Sequence, residues 1–161
     1  MRITAPILAS ILATLAGTAN AHEVSASSTT VIVEDGKVEI LQTTPIATAA
    51  EVVTSRTSAP IGTDQPEEIL NAMATHWAVS GADTGCELTR QAYRVQHHGM
   101  ELQMRYLFAC EAGDAPQRLD ATWLDATPSD HFLIFTIKAH GKEKTVIFEH
   151  QDLSIDISQL S

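Results

Sequence analysis

Residues 100–110 read Met-Glu-Leu-Gln-Met-Arg-Tyr-Leu-Phe-Ala-Cys, and they contain the clearest structural pattern in the chain. Apolar side chains occupy every second position, and Glu101, Gln103 and Arg105 stand between them. This alternation is typical of a β-strand that buries one face and exposes the other. The stretch therefore predicts a strand in a sheet with one side packed on a core.

The segment before this strand predicts its hairpin partner. Cys86–Gln96 is joined to it through the turn at residues 97–99, so residues whose numbers sum to about 196 should lie opposite each other. Cys86 and Cys110 satisfy that sum, and the hairpin therefore brings the two cysteines together. The apolar positions change parity along this segment, which predicts a β-bulge near residues 90–92.

Further segments with strand patterns flank turn signals. A first hairpin is predicted from Ser28–Val33 and Lys37–Gln42, which flank Glu34-Asp35-Gly36. Residues 132–135 are all apolar, as expected of a central strand with both faces covered. The later predicted strands are Arg118–Ala126, Phe132–Ala139, Lys144–Glu149 and Leu153–Ile157.

One helix is predicted, from about Pro66 to Val79. Asp64 can cap its N-terminus, Glu67 three residues later is the capping-box partner, and Gly81 can end it. The apolar stripe of this helix consists of Ile69, Leu70, Met73 and Trp77.

The rest of the chain completes a mostly β fold. Residues 43–65 are polar and small and predict a long connection with a short edge strand at Glu51–Thr54. About seven short strands with one helix predict an antiparallel β-sandwich, or a curled sheet, on which the helix packs. Trp77 and Trp123 are expected in the core.

The front of the chain has the pattern of a secretory signal peptide. Arg2 precedes a short apolar run, and Ala19-Asn20-Ala21 is an Ala-x-Ala cleavage site. The run is shorter than the about 20 residues of a membrane span. We therefore expect residues 1–21 to be removed and residues 22–161 to form one domain, without stable membrane insertion, in the periplasm or outside the cell.

The charge and the cysteine content narrow the possibilities. The chain has 20 acidic and 10 basic residues, a net charge of −10, which argues against binding nucleic acid or anionic lipid surfaces. Cys86 and Cys110 are the only cysteines. An even pair in an exported chain favours a disulfide. The alternative, a metal thiolate or redox pair, is a poor match because the spacing is far from Cys-x-x-Cys.

The seven histidines are the candidate chemical groups. Apart from His76, they lie at expected strand ends, in turns or at the mature N-terminus. If the strands after Cys86 form a meander, four of them share one end and His140 lies at the other. Imidazole suits zinc, copper or nickel. The candidate ligands at the shared end are His97, His98, His131 and His150. The alternative is that these are ordinary exposed turn residues.

His22 is a separate candidate ligand. Cleavage after Ala21 gives it a free α-amine, and an N-terminal histidine can chelate copper through that amine and its ring, as in a histidine brace. The alternative is that signal cleavage leaves an arbitrary polar residue at this position.

Several short motifs along most of the mature chain together carry a resemblance to known families. They are Ala21-His22-Glu23, Ile69-Leu70, Trp77-Ala78-Val79, Gly85-Cys86, Tyr106-Leu107-Phe108-Ala109-Cys110, Asp130-His131-Phe132-Leu133 and Leu153-Ser154-Ile155. The combination resembles the extracytoplasmic ectodomain of HupE/UreJ-type membrane proteins. The cysteine half is also similar to periplasmic zinc-uptake accessory proteins of the ZrgA type, although this chain has no dense His-rich tract. Both resemblances imply the handling of nickel, copper or zinc.

Three functional hypotheses follow. The first is a soluble periplasmic domain that binds or delivers a transition metal, with a membrane metal transporter or another periplasmic protein as its partner. The second is a metal-free interaction module whose exposed strand edges or acidic face bind a protein. A hydrolase or ligand carrier is a third, but the chain has no Gly-x-Ser-x-Gly, phosphate-loop or His-Glu-x-x-His motif, so an enzyme is not expected.

Overall fold

The computed structural model describes residues 25–149, 151 and 153–160. The predicted signal peptide, His22 and His150 lie outside these described residues. Within them the chain is mostly β, with nine strands and two helices. The strands are β1 (Ala26–Glu34), β2 (Lys37–Pro45), β3 (Trp77–Ser80), β4 (Glu87–Gln96), β5 (Glu101–Ala109), β6 (Arg118–Ala121), β7 (Phe132–Ala139), β8 (Lys142–Glu149) and β9 (Leu153–Asp156). The helices are α1 (Ile46–Arg56) and α2 (Pro66–Ala74).

Six strands form one large sheet in the order β4-β5-β2-β1-β7-β8. All neighbours in it are antiparallel except β1 and β7, which run parallel. A parallel pair needs a long crossover connection, and here the middle of the chain, including both helices, supplies it. The sheet is therefore mixed, and it differs at this one pair from the antiparallel arrangement expected from the sequence.

Both predicted hairpins of the large sheet form. At the β1–β2 turn, Asp35 and Gly36 have φ angles of 45° and 73°, the geometry that joins two twisted antiparallel strands. At the other hairpin, a disulfide links Cys86, before β4, to Cys110, after β5, with their Cα atoms 4.1 Å apart. The β4–β5 register shifts at Thr89, so the bulge lies just before the predicted position.

The connection after β2 contains a helix that the sequence interpretation missed. The predicted edge strand at Glu51–Thr54 is wrong, because these residues belong to α1. The run of β-branched residues there suggested a strand, but burial against β2 and β5 overrides local propensity. The buried side chains of α1 recur at helical spacing and are Ile46, Thr48, Ala49, Ala50, Val52 and Val53.

The predicted helix is present as α2, but it is shorter than expected. It ends at Ala74, and Trp77–Ser80 instead forms β3, in which buried and less buried side chains alternate. Gln65 rather than Asp64 is the N-cap residue, and it makes no side-chain cap hydrogen bond. Its amide oxygen accepts a hydrogen bond from the backbone N–H of Gly62 instead, at 2.9 Å.

The later strands follow the prediction closely, but β8 begins two residues earlier, at Lys142, and β9 ends one residue earlier, at Asp156. β7 has the predicted bounds, but β6 ends at Ala121 because residues 124–126 form a 3-10 turn. The expectation that residues 132–135 are covered on both faces is also wrong, since Ile134 remains 39% exposed. In the part of the chain that the structure describes, both helices and the small sheet lie on the other face, so Ile134 stays partly exposed.

One face of the large sheet packs on both helices and on a small antiparallel sheet of β3, β6 and β9. Alternate residues of β1, β2, β5 and β7 form the core on this face, and Trp77 and Trp123 are buried in it, as predicted. The intervening residues form the other face, which we call the open face. Among the described residues, no helix is long and apolar enough to cross a membrane.

Candidate functional site

The two histidines of the β4–β5 turn lie on the surface. His97 and His98 are exposed and have φ angles of 48° and 58°, a left-handed conformation that the turn imposes. His97 Nε2 lies 3.2 Å from a carboxylate oxygen of Glu101. A contact between two such exposed groups contributes little to stability.

His131 is a buried histidine, with only 1% of its surface exposed. Its Nδ1 lies 2.8 Å from the hydroxyl of Ser25, and its ring packs edge-on against Trp123 with ring centroids 6.3 Å apart. Its Nε2 has no hydrogen-bond partner among the described residues. Burial lowers the pKa of His131, although the Asp130 carboxylate acts to raise it. The native structure therefore favours a neutral imidazole here.

His97, His98 and His131 lie at the same end of the large sheet, but they do not form one site. β5 and β7 are separated by β2 and β1, so these strands lie about 14 Å apart. His131 is enclosed in the core, whereas the other two face solvent. His140 lies in the β7–β8 turn at the opposite end.

The described part of the chain contains no group of three or more His, Cys, Asp or Glu residues that could hold a metal ion. His22 and His150 lie outside it. A zinc, copper or nickel site that includes these two residues stays a prediction, and so does the histidine brace.

Protonation of His131 is expected to destabilise the native protein. The unfolded chain takes up this proton near the ordinary histidine pKa of 6.5, whereas burial gives the folded state a lower pKa. Above about pH 6.5, the neutral His131 therefore makes its full contribution to the free energy of unfolding. This contribution is lost as the pH falls towards the lower pKa of the folded state. Urea denaturation at a series of pH values from about 8 down to about 5 measures this dependence.

The matched control is His131→Asn, which retains a polar atom near Ser25 but cannot titrate. The other histidines contribute equally to both proteins, so the difference between the two curves reports His131 alone. We expect a shallower decrease in stability for the variant. Parallel curves would contradict the prediction.

The main exposed apolar feature of the described residues is the edge of the large sheet at β4. Tyr93 and Val95 are 41% and 40% exposed, and they lie opposite the buried Met104 and Leu102 of β5. The apolar surface of the core thus continues to the rim of the sheet. Four of the six exposed large apolar side chains in the described chain lie on this strand or just after it: Leu88, Tyr93, Val95 and Met100. We call the outer side of Glu87–Gln96, with its exposed side chains, the β4 edge.

The opposite edge, β8, is better protected against strand addition. Ile147 is 62% exposed beside Ile134, but Lys142 and Lys144 occupy the first half of the strand. Charged side chains, lysine above all, discourage pairing with another strand. β4 has no lysine and carries three charged residues in ten, Glu87, Arg90 and Arg94, against four in eight on β8, and its bulge affects only its first residues. The β4 edge is therefore the more open of the two.

The sequence contained part of the signal for this surface. The shared parity of Tyr93 and Val95 indicates one apolar face on β4. That this strand lies at the edge could not be inferred, because strand order depends on the long-range pairing of β5 with β2 and of β1 with β7.

Comparison with the models of known protein families and with curated proteins gave no match for this chain. The resemblance to HupE/UreJ-type ectodomains and ZrgA-type proteins therefore stays a prediction.

Proposed function

We propose that this chain is an exported protein-interaction domain that binds an extended segment of a partner protein along the β4 edge. The observation that carries the proposal is a ten-residue edge strand with exposed apolar side chains. This choice favours the interaction module over metal delivery, because the described histidines do not converge on one site.

Strand addition explains why such an edge is useful. An edge strand has outward N–H and C=O groups that a second strand can pair with. Main-chain hydrogen bonds then supply affinity, and alternate side chains supply specificity. Partner side chains beside Tyr93 and Val95 would bury apolar surface that the core now leaves exposed.

The disulfide supports this function in two ways. Its bond from Cys86 to Cys110 holds the start of β4 against β5, so the edge is ordered before a partner arrives. A preordered strand loses less conformational freedom on binding. A disulfide also suits an oxidising compartment, in agreement with the predicted signal peptide and a location in the periplasm or outside the cell.

Selection of displayed peptides tests the proposal. Random peptides selected on the exported protein should carry alternating apolar residues, and their binding should shift the amide signals of β4. The double variant Tyr93→Thr/Val95→Thr keeps strand-forming residues but removes the apolar surface. We expect it to weaken binding at least tenfold, because losing two buried apolar contacts costs roughly 1.5–3 kcal/mol.

The matched control is Ile147→Thr, which removes an exposed apolar side chain from the other edge. Its affinity for the selected peptides should equal that of the unmodified protein. Unchanged binding by the β4 double variant, weakened binding by the control, or failure to enrich any peptide would each overturn the proposal.

A further inference from the structure

The β4 edge also carries charge, on the side opposite its apolar residues. Arg90 and Arg94 lie opposite Leu107 and Gln103 of β5, on the open face of the sheet. They are four positions apart, or about 13 Å along a strand, and the small side chain of Ala92 stands between them. Both guanidinium groups are on exposed residues.

These two arginines differ from the others in the described chain. Arg56, Arg105 and Arg118 each form an ion pair with a carboxylate of the same molecule. Neither Arg90 nor Arg94 has an ion-pair partner among the described residues, although the protein has twice as many acidic as basic residues. The β4 edge therefore carries two arginines without ion-pair partners in the described structure, together with one carboxylate, Glu87, at its start.

We infer that the partner segment is an acidic strand, with carboxylates facing Arg90 and Arg94 and apolar side chains facing Tyr93 and Val95. This inference rests on the proposed strand addition at β4. Directly opposed side chains in an antiparallel pair lie about 5 Å apart at Cβ, close enough for an ion pair. Arginine binds carboxylates through two parallel hydrogen bonds, which adds geometric selectivity.

The spacing of β4 defines the sequence pattern of this partner. When the partner strand pairs antiparallel to β4, its residues, read from the N-terminus to the C-terminus, face the β4 residues in the order Val95 to Arg90. The pattern is apolar, acidic, apolar, any, any, acidic. The two acidic positions are four apart, as Arg90 and Arg94 are.

A second copy of this chain is a poorer occupant of the same edge. Symmetric antiparallel pairing of two β4 strands about Ala92 would place Arg90 of each copy opposite Arg94 of the other. Like charges directly opposed across a strand pair are destabilising. The arginine spacing therefore favours a chemically different, acidic partner.

Two synthetic peptides test the inference against the exported protein. One has the pattern valine, glutamate, valine, threonine, threonine, glutamate within a longer threonine-rich strand, and the other has glutamine at both glutamate positions. Calorimetric titration should show the glutamate peptide binding roughly tenfold more tightly than the glutamine peptide. Raised salt should reduce this difference because the charges are exposed.

Two double variants show which side chains cause the preference for the glutamate peptide. Arg90→Gln/Arg94→Gln should abolish the preference for glutamate, whereas Lys142→Gln/Lys144→Gln, which removes two charges from β8, should preserve it. Equal binding of both peptides to the unmodified protein, with loss in Tyr93→Thr/Val95→Thr, would overturn the acidic partner and leave the proposed function intact. If neither peptide binds, or if the Tyr93→Thr/Val95→Thr change leaves binding unaffected, the acidic partner and the proposed function are both overturned.

Discussion

Replacing Trp123 with alanine is expected to lower the free energy of unfolding by about 3–5 kcal/mol. Trp123 has no exposed surface, and its ring packs against Trp77 and His131 with centroids 6.4 and 6.3 Å away. These neighbours belong to β3 and to the residue before β7, so they are held by different sheets. The surroundings cannot collapse into the cavity without disturbing both sheets. A typical domain has only about 5–15 kcal/mol of stability, so the loss is a large part of the total.

Denaturation in guanidinium chloride measures the effect, with Trp123→Phe as the matched control. The indole N–H of Trp123 has no hydrogen-bond partner among the described residues, so phenylalanine removes volume but no observed hydrogen bond. We expect the phenylalanine variant to lose less than half as much stability as the alanine variant. Equal losses for the two variants would contradict an explanation based on cavity volume.

The features that the sequence predicted well are local in the chain. The Asp35-Gly36 turn joins adjacent strands, and the β4–β5 hairpin is defined by one turn and one alternating strand. The Cys86–Cys110 disulfide followed from the register of that hairpin and from the even number of cysteines in a chain expected to be exported. Turn chemistry and the period of two act over few residues, so a single sequence is enough to read them.

The features that it missed depend on distant contacts. Valine and threonine residues at 52–54 favour a strand by propensity, yet they form a helix because α1 has the core face of β2 and β5 to pack on. The parallel pairing of β1 with β7 joins residues about a hundred positions apart. No local pattern encodes that pairing.

The candidate functional residues also divide into local features, which the sequence predicted, and features that depend on distant contacts, which it did not. The sequence identified turn histidines, but their separation is set by two intervening strands, β2 and β1. It also left open whether His131 is exposed, and only the packing of Trp123 and Ser25 around it shows a buried, neutral imidazole. The position of β4 at the sheet edge depends on strand order, which long-range pairing sets.

Removing the Cys86–Cys110 disulfide is expected to cost about 3 kcal/mol in the chain-entropy model. The two cysteines are 24 residues apart, so the bond restricts a hairpin-sized loop in the unfolded chain. The test compares Cys86→Ser/Cys110→Ser with the unmodified protein, each with and without dithiothreitol. The reductant should lower the stability of the unmodified protein to that of the variant and leave the variant unchanged. A reductant effect of the same size on the variant would contradict the prediction.

Hydrogen exchange on the same variant separates global stability from local ordering of the β4 edge. Among the described strands, β4 has one neighbour, β5, whereas β7 lies between β1 and β8. Without the disulfide, β4 can detach from β5 at its first residues while the rest of the sheet stays folded. We therefore expect amide protection to fall more in β4 than in β7. An equal fall in both strands would show that the disulfide acts only on global unfolding, and the edge would then owe its order to β5 pairing alone.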